Sequence, residues 1–316
     1  MLRAVSLDSL VLVPYPSSHM RVPLTGAGAG RRLIVNADDF GLTLPITEGT
    51  IDAFERGILT SASLVATGAA FDRASRYAAT HPDLDAGVHL MIVQGAPVLP
   101  PDQVPSLVHS DGMFLPGYGE FMARYLSGGV RDEEVEAEWS AQIARLRGAG
   151  VRMTHLDSIQ HLHLVPGLFR IALRIARANG IMAMRFPRVP TVLRRAEKGT
   201  VRRSLEFLPL RLMEQSNLPH LNASGIRTPD RFFGFHSAGH LDQKALRSVL
   251  FGVPQGTSEL VCHPGHGEPD TSPFAGWDYE WRAELEALTS PESRRIVESQ
   301  GIELTTFSDM AALPVG

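Results

Sequence analysis

Leu33-Ile34-Val35-Asn36-Ala37-Asp38-Asp39-Phe40-Gly41 is an apolar run that meets two adjacent carboxylates and then a glycine. A short, continuous apolar run of this kind reads as a strand buried on both faces, as in parallel sheets covered by helices. The carboxylates therefore stand where a buried strand ends and a loop begins. Side chains alternate across a strand, so the two aspartates are expected to point apart, one suited to holding a metal and the other to reaching substrate or water. The plainer reading is that Asx residues at a strand tip cap the next segment and that Gly41 supplies a turn.

Working outward, strand-like and helix-like segments alternate. Strands are expected at Leu33–Asn36, Ser63–Ala66, Ala86–Ile92, Met153–Ile159, Ala183–Phe186, Ser258–Cys262 and Glu303–Thr306. Helical spacing covers Thr47–Arg56, with Ile51 and Phe54 inward and Gly57 as the stop, and recurs at Phe71–Thr80, Asp132–Gly148, Gly167–Asn179, Gln243–Leu250, Glu280–Leu288 and Ser293–Gln300. Between about 187 and 240 the pattern is less regular. Such β-α alternation implies an α/β fold, a mainly parallel sheet or barrel with helices outside, whose chemistry gathers at the carboxyl ends of the strands.

The residues that invite chemistry fall at those ends. His89 sits in Gly87-Val88-His89-Leu90, and the densest cluster is Thr154-His155-Leu156-Asp157-Ser158-Ile159-Gln160-His161-Leu162-His163. If that segment is extended, its period of two puts His155, Asp157, Ile159, His161 and His163 on one face. Three imidazoles and a carboxylate are costly to bury without partners. A metal satisfies several at once, each ring offering one nitrogen while its other N–H bonds an acceptor such as Asp157. Isolated histidines such as His81, His109 and His220 read as ordinary surface or core residues. After the strand ending at Cys262, His263 projects as a candidate for proton transfer, while Cys262 should face the helices and not serve as a nucleophile. Arg185 and Arg188 end another strand and could orient a carboxylate or a substrate, though surface exposure is the default for arginine.

Composition narrows the classes. The 316 residues are 44% hydrophobic and 20% charged with a formal net charge of -4, which favours neither nucleic acid nor an anionic membrane surface. The basic stretch Arg194 to Arg203 is interrupted by Glu197 and reads as a solvated face. A single cysteine allows no internal disulfide and is consistent with a reducing, cytoplasmic compartment. Leu10–Val13 is far below the roughly 18 apolar residues of a membrane helix. Residues 1–30, closed by the Gly26–Gly30 run, read as a flexible extension, and 31–316 as one domain. The oligomeric state stays open, a homodimer among the alternatives.

From about residue 31 to 307 the chain resembles the YdjC-like carbohydrate deacetylases. The resemblance rests on Leu33–Gly41, Gly57-Ile58-Leu59-Thr60-Ser61-Ala62-Ser63, Gly87–Leu90, Thr154–His163, Arg185-Phe186-Pro187-Arg188 and Glu259-Leu260-Val261-Cys262-His263-Pro264-Gly265, six motifs in order. It implies a deformed (β/α) barrel resembling polysaccharide deacetylases and one divalent metal ion, Mg²⁺ or Zn²⁺. The implied substrate is an N-acetylated amino sugar, oligosaccharide or glycolipid headgroup. By the same resemblance Asp39 and His89 are metal ligands, Asp38 is the base and His263 the acid of a metal-assisted amide hydrolysis. Ile159 stands where family members carry a ligating histidine, so His161 or His155 is expected to replace it, with Arg185 contacting substrate. Two other functions stay open: a metal hydrolase of another amide or of a phosphate ester, and a non-catalytic sugar-binding or regulatory homologue with a weakened metal site.

Overall fold

The computed structural model describes residues 30–188, 208–267 and 274–313. Most of the expected extension and the Arg194–Arg203 stretch lie outside them. The strands are β1 (Arg31–Phe40), β2 (Ser61–Val65), β3 (Asp85–Leu90), β4 (His155–Ser158), β5 (Ala183–Met184), β6 (Arg231–Phe233), β7 (Gly256–Cys262) and β8 (Ile302–Leu304). All pair in parallel, in the order β5-β4-β3-β2-β1-β7-β6, with β8 also against β1. The sheet curls into a deformed (β/α) barrel. Across the seam between β5 and β6, Arg227 bridges to Ala183: Met184 N–H donates to Arg227 O at 2.9 Å, and Arg227 N–H to Met182 O at 2.9 Å.

Local sequence explains the main helices. In α1 (Leu44–Arg56), Thr43 caps the first turn, Pro45 fits the helix start, and Ile46, Ile51 and Phe54 face the core before Gly57 ends it. Two further helices, α2 (Phe71–Thr80) and α3 (Tyr118–Leu126), flank the early strands. α4 (Asp132–Gly148) opens on Asp132, Glu133 and Glu134 and closes with Arg145 and Arg147, charges that suit the two ends of the helix dipole. α5 (Pro166–Ala178) buries Leu168, Phe169, Ile171, Ala172 and Ile175 against the barrel. They are followed by α6 (Leu208–Ser224), α7 (Gln243–Gly252), α8 (Trp281–Thr289), α9 (Pro291–Ser299) and α10 (Phe307–Ala312). Among the described residues no helix is long and apolar enough to cross a membrane.

Two departures from the expected pattern shape the site. β1 runs on to Phe40, and its register against β2 slips between Ala37 and Phe40, where Asp39 adopts φ 64°. This bulge breaks the alternation, so Asp38 and Asp39 face the same cleft and do not point apart. The His-rich segment is likewise not extended throughout. β4 stops at Ser158, and Ile159–Leu164 forms a tight 3-10 turn in which Gln160 (φ 48°) and His161 (φ 55°) are left-handed. The three histidines consequently go to three different places.

Candidate active site

A cleft of about 490 Å³ opens at the carboxyl ends of the strands, lined by Asp38, Asp39, His89, Tyr118, Ile159, Gln160, His161, Phe235, Ala238, Val261, His263, Trp277 and Tyr279. Beneath it, Arg185 reaches across the barrel interior and is fully buried. Its two terminal nitrogens donate to the two oxygens of Asp38 at 2.7 Å each, its Nε donates to Glu259 Oε1 at 2.6 Å, and Asp157 Oδ2 lies 3.0 Å away. Carboxylates from β1, β4 and β7 thus share one guanidinium delivered from the end of β5. Of the two expectations for Arg185, orienting a carboxylate or contacting substrate, the structure displays the first: among the described residues its guanidinium meets Asp38, Asp157 and Glu259, with Cζ 5.5 Å from the Phe232 ring centroid.

Charge follows from that arrangement. Burial alone would raise the Asp38 pKa, but the charge and hydrogen bonds of Arg185 together with His89 outweigh it and the net shift is downward, so Asp38 stays ionised. Asp157 is held low in the same way, burial being overcome by Arg185 and His89. Asp39, without that partner, is pushed up to about 7 by burial, with His89 pulling the other way. Burial disfavours a charged His89, yet Asp157 and Asp38 more than compensate and carry it to about 9. Asp157 Oδ1 accepts from His89 Nδ1 at 2.8 Å, which turns Nε2 toward Asp39 Oδ1 at 3.6 Å.

The histidines of the 155–163 segment separate. His155 lies outside the cleft. Its Nε2 is 3.1 Å from Ser63 Oγ, its Nδ1 is 2.9 Å from Thr154 Oγ1, and its ring stacks on Phe307 at 3.9 Å. It also fills the space under Gly87, where an added Cβ would come within 2.3 Å of Nε2. As a ligand it is therefore displaced by its own packing. His163 faces inward: Nε2–H donates to Arg185 O at 3.0 Å and Nδ1 accepts from Ser158 Oγ at 2.7 Å, so the ring is a neutral brace. His161 is the one that the left-handed turn swings into the cleft, stacked near Phe235 at 5.6 Å. Burial drives His161 down to about 3 and His263 down to about 4, so both rings are neutral.

Asp38, His89 and Asp157 bring ligand atoms within 4.8 Å of one another and could hold a metal ion. The oxygens of Asp38 and Asp157, however, are already engaged by Arg185, Asn36, Ser63 and His89. The buried atoms without a hydrogen-bond partner among the described residues include Asp39 Oδ1, His161 Nδ1 and His263 Nδ1, all on cleft residues. Uncommitted buried donors and acceptors gathered in one cleft are what a cation and a polar substrate require.

Several contributors were not foreseen. Ser63 bridges Asn36 and Asp157, and Glu259 balances Arg185. A glutamate inside the apolar strand Ser258–Cys262 was the available signal, since it demands a buried countercharge. Tyr118, Phe235, Trp277 and Tyr279 give the cleft an aromatic wall, of which the sequence showed only clustering near 274–281.

Comparison with known proteins places these features in a family. The YdjC-like protein model matches residues 32–299. A carbohydrate deacetylase of Geobacillus stearothermophilus is 30% identical over 284 residues, covering 90% of this chain and 99% of the relative. A human carbohydrate deacetylase is 31% identical over 305 residues, covering 88% and 91%. A crystal structure from Enterococcus faecalis V583, of a protein proposed to cleave cellobiose phosphate, superposes with a TM-score of 0.69 at 29% identity, covering 89% of this chain and 98% of that one.

Proposed function

The chain belongs to the YdjC-like family, and from that premise we propose that it is a metal-dependent carbohydrate deacetylase that removes an N-acetyl group from an amino sugar. The observation that carries the reading is the set of buried atoms without a hydrogen-bond partner, Asp39 Oδ1, His161 Nδ1 and His263 Nδ1, on residues that line one aromatic-walled cleft with His89. Asp39, His89 and His161 would hold the divalent cation. One carboxylate and two imidazoles suit Zn²⁺ and do not exclude Mg²⁺. When bound, the cation supplies Lewis-acid polarisation of the acetamide carbonyl.

The protein's own groups do the rest. Arg185 fixes both oxygens of Asp38 and keeps it ionised, so Asp38 can take a proton from a water directed at the carbonyl carbon. That grip also lowers its basicity, and its value lies in orientation. The proton must reach the leaving amine nitrogen. His263 enters the cycle neutral with Nδ1 uncommitted, and is placed to carry it there. Trp277 and Tyr279 offer flat apolar faces to a sugar ring, while Ile159 occupies the position of the family's histidine with an apolar surface.

The test is acetate release by the purified protein from a panel of N-acetylated mono- and oligosaccharides, with its metal content measured before and after chelation. Release that disappears with the metal supports the proposal. Release unchanged after verified metal removal overturns the mechanism, and a metal-free protein that binds sugar without turnover would make it a binding homologue.

A further inference from the structure

Glu284 lies on α8 behind the cleft, fully buried, with no cationic partner among the described residues. Its carboxylate is instead satisfied by the main chain: Oε2 accepts the N–H of His263 at 2.5 Å, Oε1 accepts that of Leu241 at 3.1 Å, and the N–H of Gly239 also bonds it. Hydrogen bonds to an ionised acceptor are about twice as strong as neutral ones. Burial pushes Glu284 up to about 7, and the three N–H groups oppose that shift.

These donors belong to two segments that adjoin each other at the site. His263 follows β7 and presents its ring to the cleft. Gly239 follows β6 and carries the Tyr279 ring: at φ +78° it has no side chain, and an added Cβ would sit 2.2 Å from Tyr279 Cδ1. The two rings then meet edge to face at 4.8 Å. The β7 loop is further stitched to α8 by Gly265 N–H donating to Trp281 O at 3.1 Å.

We propose that Glu284 is a positioning residue, whose carboxylate fixes the His263 ring and the Tyr279 platform relative to one another by holding the backbone of both segments. A glutamine at this position keeps the volume but replaces one oxygen with an NH₂ that confronts an N–H donor. One of the two segments must then shift. Misplacing a reacting group by about 1 Å can cost on the order of 100-fold in rate.

The activity part of the test rests on the deacetylase reading, and hydrogen exchange supplies a readout that does not. In full-length, metal-loaded protein, Glu284→Gln should keep its metal content and melt as one cooperative unit. Amide exchange should accelerate in peptides covering 239–241 and 261–265, and kcat should fall about 10- to 100-fold with KM changed less than about threefold. Glu284→Asp, one methylene shorter but still offering two carboxylate oxygens and no amide donor, should lie between wild type and Glu284→Gln, and it takes over the test if Glu284→Gln does not fold. Glu286→Gln, exposed on the same helix, should behave as wild type. Unchanged exchange in those two segments would overturn the proposal, as would an undiminished kcat in folded Glu284→Gln or a loss of activity that only follows the folded fraction. If wild type deacetylates nothing, the deacetylase reading falls, and the exchange arm alone decides whether Glu284 holds the segments.

Discussion

Arg185 grips Asp38 through two parallel hydrogen bonds of 2.7 Å, with both residues almost entirely out of solvent. The pairing joins the end of β5 to the end of β1 across the barrel, so one interaction both closes the interior and orients a carboxylate on the cleft. It also sets what happens when the cation is removed.

Arg185→Met should be strongly destabilising. It would leave Asp38, Asp157 and Glu259 buried without their counter-ion, and breaking a buried pair by removing one partner costs about 3–5 kcal/mol. Arg185→Lys should recover little, because an ammonium cannot reproduce the two-pronged contact. Urea unfolding of both variants is the check, and a Met variant within about 1 kcal/mol of wild type would contradict the structure.

Metal uptake should release protons. His89 sits at about 9 and Asp39 at about 7 without the cation, so near neutral pH the site carries protons that ligation must displace. Affinity should therefore climb as pH rises from about 6 toward 9. Titration of the metal-free protein in weakly buffered indicator solution should register roughly one proton per ion or more; binding with no proton release would place the ion elsewhere.

The barrel and the location of the site were legible because they depend on local pattern. Continuous apolar runs marked the buried strands, glycine and capping residues bounded the helices, and Asp38, Asp39, His89, His161 and His263 all fall at carboxyl strand ends. The arrangement within the site was not legible. Nothing in Ser158-Ile159-Gln160-His161 announces two consecutive left-handed residues without a glycine, so strict alternation was extended too far and kept His155 with His161. The bulge that turns Asp38 and Asp39 to one side is set by pairing with β2, a long-range contact. Which carboxylates Arg185 would meet was not legible, because its three partners lie 28, 74 and 147 positions away and come together only in the folded barrel.

His163 should contribute an acid-side slope to stability. Burial holds it at about 4 in the folded chain, against an ordinary value of 6.5, so between those limits the unfolded chain binds the extra proton. Its contribution is complete above about 6.5 and is lost as pH falls toward 4, on the order of 1.4 kcal/mol per pH unit at full separation. In His163→Gln the fall of stability over that window should be shallower than in wild type by up to one proton's worth, measured by denaturant titration at several pH values. Parallel curves would show that the ring is not kept neutral.

The two adjacent aspartates should fail differently. Asp39→Asn should lose metal, whereas Asp38→Asn should keep it and lose roughly two to four orders of magnitude in turnover, the scale of a general base. Metal analysis and single-substrate kinetics on the two purified variants separate the roles. The opposite pattern would exchange the assignments.

Gly87 and His155 impose a constraint on how this barrel can vary. The ring lies so close to the glycine that even a methyl group at 87 would overlap it. An alanine there would be tolerable only alongside a smaller residue at 155, and that smaller residue would forfeit the contacts to Ser63, Thr154 and Phe307. Two positions on the neighbouring strands β3 and β4 are thus bound into a shared mutational path, in which neither single step is cheap and only the paired change avoids the overlap.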